Sequence, residues 1–125
     1  MARKNQLVYK VAEAQSLGAS FITAPTLIKY LDNVAYQIIQ TGTPTGEFFV
    51  EASVDYAFDE VAQNVQNPGH WDALPLSTRL LLAGTPEDIL VNLNQLPFTA
   101  IRVRYTRSSG TGTADIYLTA RQIGG

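Results

Sequence analysis

The chain has 125 residues, and its 9 Lys+Arg against 11 Asp+Glu give a formal net charge of -2, with charged residues making up 16% of the whole. That length is one domain with a real core, and that balance excludes both the bulk positive field of a nucleic-acid binder and a disordered acidic segment. With no cysteine, disulfides, Cys-ligated zinc, iron–sulfur clusters and a thiol nucleophile are excluded as well. No apolar run approaches about 18 residues, and polar and charged residues follow Met1 where a signal peptide would be apolar. The expectation is a soluble protein kept inside a cell, or in a particle assembled there, with no membrane contact.

Apolar residues recur at period two along most of the chain, which predicts an all-β protein of antiparallel strands. Residues 1–12 read as an N-terminal arm or a first strand, with Arg3, Lys4 and Lys10 around the apolar pair Leu7 and Val8. Residues 13–125 read as a single domain. Strands are predicted over 7–12, 18–23 and 34–40, with turn chemistry at Asp32-Asn33 and at Gly42-Thr43-Pro44-Thr45-Gly46. The clearest alternation follows over 47–54, where Phe48, Val50, Ala52 and Val54 share one face and Phe49, Glu51 and Ser53 the other. Residues 56–66 fit neither helical nor strand period and are expected to form an edge strand or an irregular connection. Beyond the Asn67-Pro68-Gly69 turn, strands are predicted at 77–83 and 88–93, separated by a second Gly-Thr-Pro turn at 84–86.

Two half-buried strands close the chain: Ile101, Val103 and Tyr105 alternate with Arg102, Arg104 and Thr106, then Ile116, Leu118 and Ala120 with Asp115, Tyr117 and Thr119. The Ser108-Ser109-Gly110-Thr111-Gly112-Thr113 segment between them reads as a hairpin loop. A register sum of 219 faces Arg104 with Asp115 and Arg102 with Tyr117; a sum of 221 is the alternative. About eight strands in this length predict an antiparallel β-sandwich of jelly-roll type with an extended N-terminal arm.

Candidate chemistry is sparse. His70 is the lone histidine, and with no Gly-x-Ser-x-Gly elbow around any serine it reads as a solvated turn residue and not a catalytic base. Glu51 and Asp55 would supply paired carboxylates, yet no Asp-x-Asp-x-Asp-Gly loop accompanies them, so solvated strand-face acids are the simpler reading. Arg102 and Arg104, with Arg107 and Arg121 nearby, form a basic stripe suited either to cross-strand pairing or to docking an acidic partner. Trp71 reads as a plug at the sandwich edge. No catalytic residue, metal ligand or cofactor is expected.

Three segments carry a resemblance: Thr41-Gly42-Thr43-Pro44-Thr45-Gly46-Glu47-Phe48-Phe49-Val50-Glu51-Ala52-Ser53-Val54-Asp55, then Trp71-Asp72-Ala73-Leu74-Pro75-Leu76, then Ala100-Ile101-Arg102-Val103-Arg104-Tyr105-Thr106-Arg107-Ser108-Ser109-Gly110-Thr111-Gly112-Thr113-Ala114. Their order resembles small β-sandwich virion proteins of tailed bacteriophages. The first two segments are also similar to discoidin-like galactose-binding sandwiches, although the chain is shorter and lacks their terminal cysteines. The phage resemblance implies a non-enzymatic structural protein of the virion, of the capsid decoration (cement) type, homotrimeric or a higher homo-oligomer. Its partners would be the major capsid protein or other virion proteins, with no direct nucleic-acid contact. Arg3, Lys4, Leu7, Val8, Lys10, Arg102 and Arg104 are the expected contact residues. The alternatives are a tail or neck subunit, or a carbohydrate-binding module using Trp71, Tyr117 and the 108–113 loop.

Overall fold

The computed structural model describes residues 6–28, 31–76, 79–86, 88–93 and 98–122. Twelve strands are described: β1 (Gln6–Ser16), β2 (Phe21–Ile22), β3 (Thr26–Leu27), β4 (Leu31–Gly42), β5 (Thr45–Ser53), β6 (Ala57–Asp59), β7 (Asn64–Asn67), β8 (Asp72–Ala73), β9 (Leu80–Ala83), β10 (Asp88–Leu93), β11 (Ala100–Ser109) and β12 (Gly112–Gln122). The first sheet has the order β1-β12-β4-β10. The second runs β2-β11-β5-β8, with β3 also on β11 and β9 also on β5. Since β2 and β3 share one edge of β11, and β8 and β9 share one edge of β5, each sheet has four positions. The two faces pack on each other as a β-sandwich.

Period-two alternation explains why. Phe48, Val50, Ile101, Val103 and Tyr105 from the second sheet and Val34, Tyr36, Ile38, Ile116 and Leu118 from the first are each at most 2% exposed, and they form one cluster. Burying both inner faces is the main gain that offsets ordering the chain. Phe48 lies 4.7 Å from the Tyr105 ring, and Phe21 sits 5.6 Å from Tyr105, closing one side of the core. Val54, predicted as the last inward residue of its strand, is 68% exposed because β5 stops at Ser53.

Three expectations are corrected. The segment between β11 and β12 is no hairpin loop, because β11 pairs with β5 and β12 with β4, so the chain crosses from one sheet to the other there. Neither proposed register exists: Arg104 faces Phe49, Arg102 faces Glu51, and Asp115 instead accepts the backbone N–H of Ala14 at 2.7 Å. Asp32-Asn33 is no turn but lies inside β4, where Asn33 takes φ 43° beside a register shift against β12. Asparagine tolerates the left-handed conformation, so the same chemistry that makes turns makes a bulge.

Residues 6–16 form β1, antiparallel to β12 with two register irregularities. Both Gly-Thr-Pro segments mark the same event, since β4 to β5 and β9 to β10 each pass between the sheets. Four crossings meet at this end of the sandwich. Leu17 N–H donates to Gly112 O (2.8 Å), Thr43 N–H to Thr111 O (2.9 Å) and Gly84 N–H to Pro44 O (2.9 Å), tying all four together.

Candidate functional site

The outer face of the second sheet carries the densest polar chemistry. Alternation turns Glu47, Phe49 and Glu51 of β5 outward beside Thr106, Arg104 and Arg102 of β11. Arg102 Nε donates to Glu51 Oε1 at 2.8 Å, and Arg104 Nε sits 2.9 Å from Glu51 Oε2, too poorly aligned for a good hydrogen bond but close enough for an ion pair. One carboxylate, its side chain 10% exposed, is thus held by two guanidiniums. Arg102 stacks over Trp71 at 4.2 Å and Arg104 over Phe49 at 4.4 Å. These cation–π contacts hold one flat face of each guanidinium against a ring. Trp71 is itself held by its Nε1–H donating to Pro68 O (2.8 Å) and by the Tyr56 ring at 5.7 Å.

Further along the same face, Arg79 forms a two-pronged pair with Glu47, at 3.1 Å through Nε and 2.7 Å through Nη2. The guanidinium holds the Glu47 carboxyl below its usual range. Between the Arg79 and Arg104 side chains lies a trough of about 520 Å³ lined also by Phe49, Leu81, Thr106 and Ser108.

The expected contact residues do not share one surface. Arg102 and Arg104 are on the outer face of the second sheet. Lys10 and Val8 are on the outer face of the first, where Lys10 Nζ lies 5.4 Å from the Tyr117 ring and bonds Glu13 at 3.0 Å. Those two faces point away from each other across the core. Arg3 and Lys4 lie outside the described residues, as does the side chain of Leu7. Trp71, Tyr117 and the 108–113 loop are likewise apart. Trp71 stands on the second sheet near the end of β5, Tyr117 on the first sheet, and the loop by the start of β5.

Glu51 and Asp55 do not form an acid pair, since Glu51 is held by arginines and Asp55 by the loop beyond β5. Asp55 Oδ1 accepts the backbone N–H of His70 (2.8 Å) and the Ser53 hydroxyl (2.9 Å), while Oδ2 meets His70 Nδ1 at 2.6 Å. The contact order is therefore serine to aspartate to histidine. Ser53, 2% exposed, gives its proton to the carboxylate and accepts from Tyr56 N–H, so the imidazole does not activate it. Among the described residues no three His, Asp or Glu side chains are grouped to hold a metal ion.

The pair has a pH signature. Hydrogen bonds from His70 hold the Asp55 carboxyl at about 2, and the hydrogen bond to Asp55, reinforced by its charge, pushes the His70 ring above its ordinary 6.5. The histidine's contribution to stability is whole below about 6.5 and fades as pH rises through its raised value. The aspartate's is whole above about 3.8 and is lost as pH falls towards 2. An NMR titration of the His70 ring is expected to give a midpoint above 6.5 in the wild type and an ordinary one in Asp55→Asn. The melting-temperature gap between the wild type and His70→Ala should shrink between pH 6 and pH 9. A wild-type midpoint at 6.5 would show that the pair does not form in solution.

Sequence reasoning singles out Arg102 and Arg104 as an outward basic stripe and reads Glu51 as a solvated strand-face acid, but places neither Glu51 nor Arg79 beside them. The available signal was the matched alternation of Phe49-x-Glu51 and Arg102-x-Arg104, which is two-residue spacing on two strands whose outward chemistry is complementary.

No protein-family model and no curated relative matches the sequence. Solved structures do. The fold is similar to that of the SPBc2 prophage-derived protein YomS, with a TM-score of 0.58 and 8% identity over 96% of each chain. It is also similar to a chain in the structure of infectious bursal disease virus, Gx strain, with a TM-score of 0.50 and 12% identity over 97% of this chain. This chain spans only 32% of that one. At such identities the likeness is one of fold.

Proposed function

We propose that this chain is a bacteriophage virion structural protein, and specifically a capsid decoration protein that binds and stabilises the head shell as a homo-oligomer. The observation that carries the reading is the end-to-end fold likeness to a prophage-derived protein, over 96% of both chains. The likeness to a chain from a virus particle points the same way. The strand order supports it too. The chain alternates between sheets so that β1-β12-β4-β10 faces β2/β3-β11-β5-β8/β9, the arrangement of a jelly roll, which recurs in viral capsid proteins. The reading is non-enzymatic, which the Ser53–Asp55–His70 contact order favours, and the virion is its location.

Co-sedimentation of the purified chain with assembled particles of the same source tests this. The expected result is saturable binding to tail-less heads and greater resistance of those heads to heat. Retention by tails alone would move the assignment to a tail or neck subunit. Failure to bind any particle would overturn the virion reading. Lys10→Glu and Arg104→Ala, on opposite faces, report which sheet meets the shell.

A further inference from the structure

We propose that the β6–β7 hairpin of one copy docks into the Arg79/Arg104 trough of a second copy, so that the chain self-associates head to tail. The proposal rests on the reading of this protein as a self-assembling subunit and names the surfaces that subunit uses.

The hairpin is a surplus to the fold. Among the described residues β6 and β7 pair only with each other and join neither large sheet. Val61 at its tip is 96% exposed and Val65 50%. Isolated two-stranded hairpins are marginal in water, yet this one is held in shape. Asp59 Oδ1 accepts the N–H groups of Val61 (2.9 Å) and Ala62 (3.1 Å), Asp59 Oδ2 accepts from Gln66 (3.2 Å), and Gln63 takes φ 57° to complete the turn. A tip fixed in advance loses little freedom when it binds. Asp59 is consumed by this bracing, which leaves Glu60 beside Val61 as the outward carboxylate.

Charge along the chain is segregated to match. Residues 54–78 hold Asp55, Asp59, Glu60 and Asp72 and no lysine or arginine. The trough's face carries Arg79, Arg102 and Arg104 against Glu47 and Glu51, a local excess of one positive charge on a net acidic chain. Its wall offers Leu81, 47% exposed, and its floor Phe49, over whose ring the Arg104 guanidinium stacks at 4.4 Å. An apolar tip beside a carboxylate meets an apolar floor flanked by guanidiniums, and the volume of about 520 Å³ admits several side chains. A copy does not fill its own trough. The hairpin follows the end of β5, whereas the trough lies over Thr45 to Phe49 at its start, roughly 20 Å away at the rise of a strand. Contacts between two different patches are heterologous, and they close into rings when the rotation allows.

Sedimentation velocity from micromolar to millimolar concentration tests the proposal. The expected wild-type result is a mass that climbs from 13.7 kDa to a multiple of it. Val61→Lys and Glu60→Arg should each weaken association at least tenfold with an unchanged circular-dichroism spectrum, because the hairpin lies outside the core. Glu60→Arg combined with Arg79→Glu should recover most of that loss. A wild type that stays monomeric at millimolar concentration would overturn the proposal, as would oligomers indifferent to Val61 and Glu60. Particle binding separates the two readings. A monomer that still coats heads sinks the hairpin contact alone, and an oligomer that ignores particles sinks the virion assignment alone.

Discussion

Gly110→Ala is expected to cost about 2–3 kcal/mol of folding stability, against about 1–2 kcal/mol for Gly84→Ala and almost nothing for Gly18→Ala, read from urea unfolding midpoints. The three glycines separate the two things a side chain meets at the crossing end of the sandwich. Gly18 has an ordinary backbone, and an added Cβ would come no closer than 3.4 Å to the Ser16 hydroxyl. Gly84 has φ 82°, and an added Cβ there would make only an ordinary 3.6 Å contact with the Thr45 hydroxyl, so alanine bears only the left-handed backbone cost. Gly110 combines φ 78° with a Cβ position 2.1 Å from the carbonyl oxygen of Thr43 and 3.0 Å from Pro44 Cα. Those atoms are backbone and cannot swing aside. Making room shifts the β4–β5 crossing and strains the Thr43 N–H to Thr111 O bond, which adds about 1 kcal/mol to the conformational cost. Equal losses at Gly84 and Gly110 would show that the crossings do not touch in solution.

The same crossing explains what the sequence made legible and what it hid. Which residues face inward was readable, since Phe48, Val50, Ile101, Val103, Ile116 and Leu118 sit on strands with one dry face, and period two reports that directly. Which strand lies beside which was not. Two alternating strands joined by Ser-Ser-Gly-Thr-Gly-Thr look the same whether the joint bends back into one sheet or steps to another. The difference lies in contacts of Gly110 and Gly112 with Thr43 and Thr41, some 70 residues earlier. The mistaken partner strand then hid the site. Arg102 and Arg104 were rightly turned outward, but Asp115 was assigned to Arg104 when Glu51, directly opposite Arg102 on β5, was the acid within reach. The ambiguous 56–66 stretch has a simpler cause. Its apolar residues follow no period because, among the described residues, β6 and β7 pair with each other and join neither large sheet, so no sheet face disciplines their order.

Glu51→Ala is expected to destabilise the fold by about 2–3 kcal/mol and to do so less at high salt. Removing one member of a well-buried ion pair costs about 3–5 kcal/mol because the partner's charge is left uncompensated. Here the carboxylate's side chain is 10% exposed but its two arginines are 21% and 35% exposed, so water relieves part of the penalty. What remains is repulsion between two guanidiniums two residues apart on β11, each stacked over an aromatic ring. Salt screens that repulsion, whereas it would not restore a purely apolar packing loss, so the salt dependence identifies the cause. Glu51→Gln combined with Arg104→Gln should recover at least half the loss, because a single guanidinium stacked on Trp71 has no like charge beside it. A neutral Glu51→Ala would mean that the arginines are already free of their carboxylate and present their full charge to solvent. The expected loss means the opposite: the fold itself locks this face flat, with both guanidiniums committed to one carboxylate.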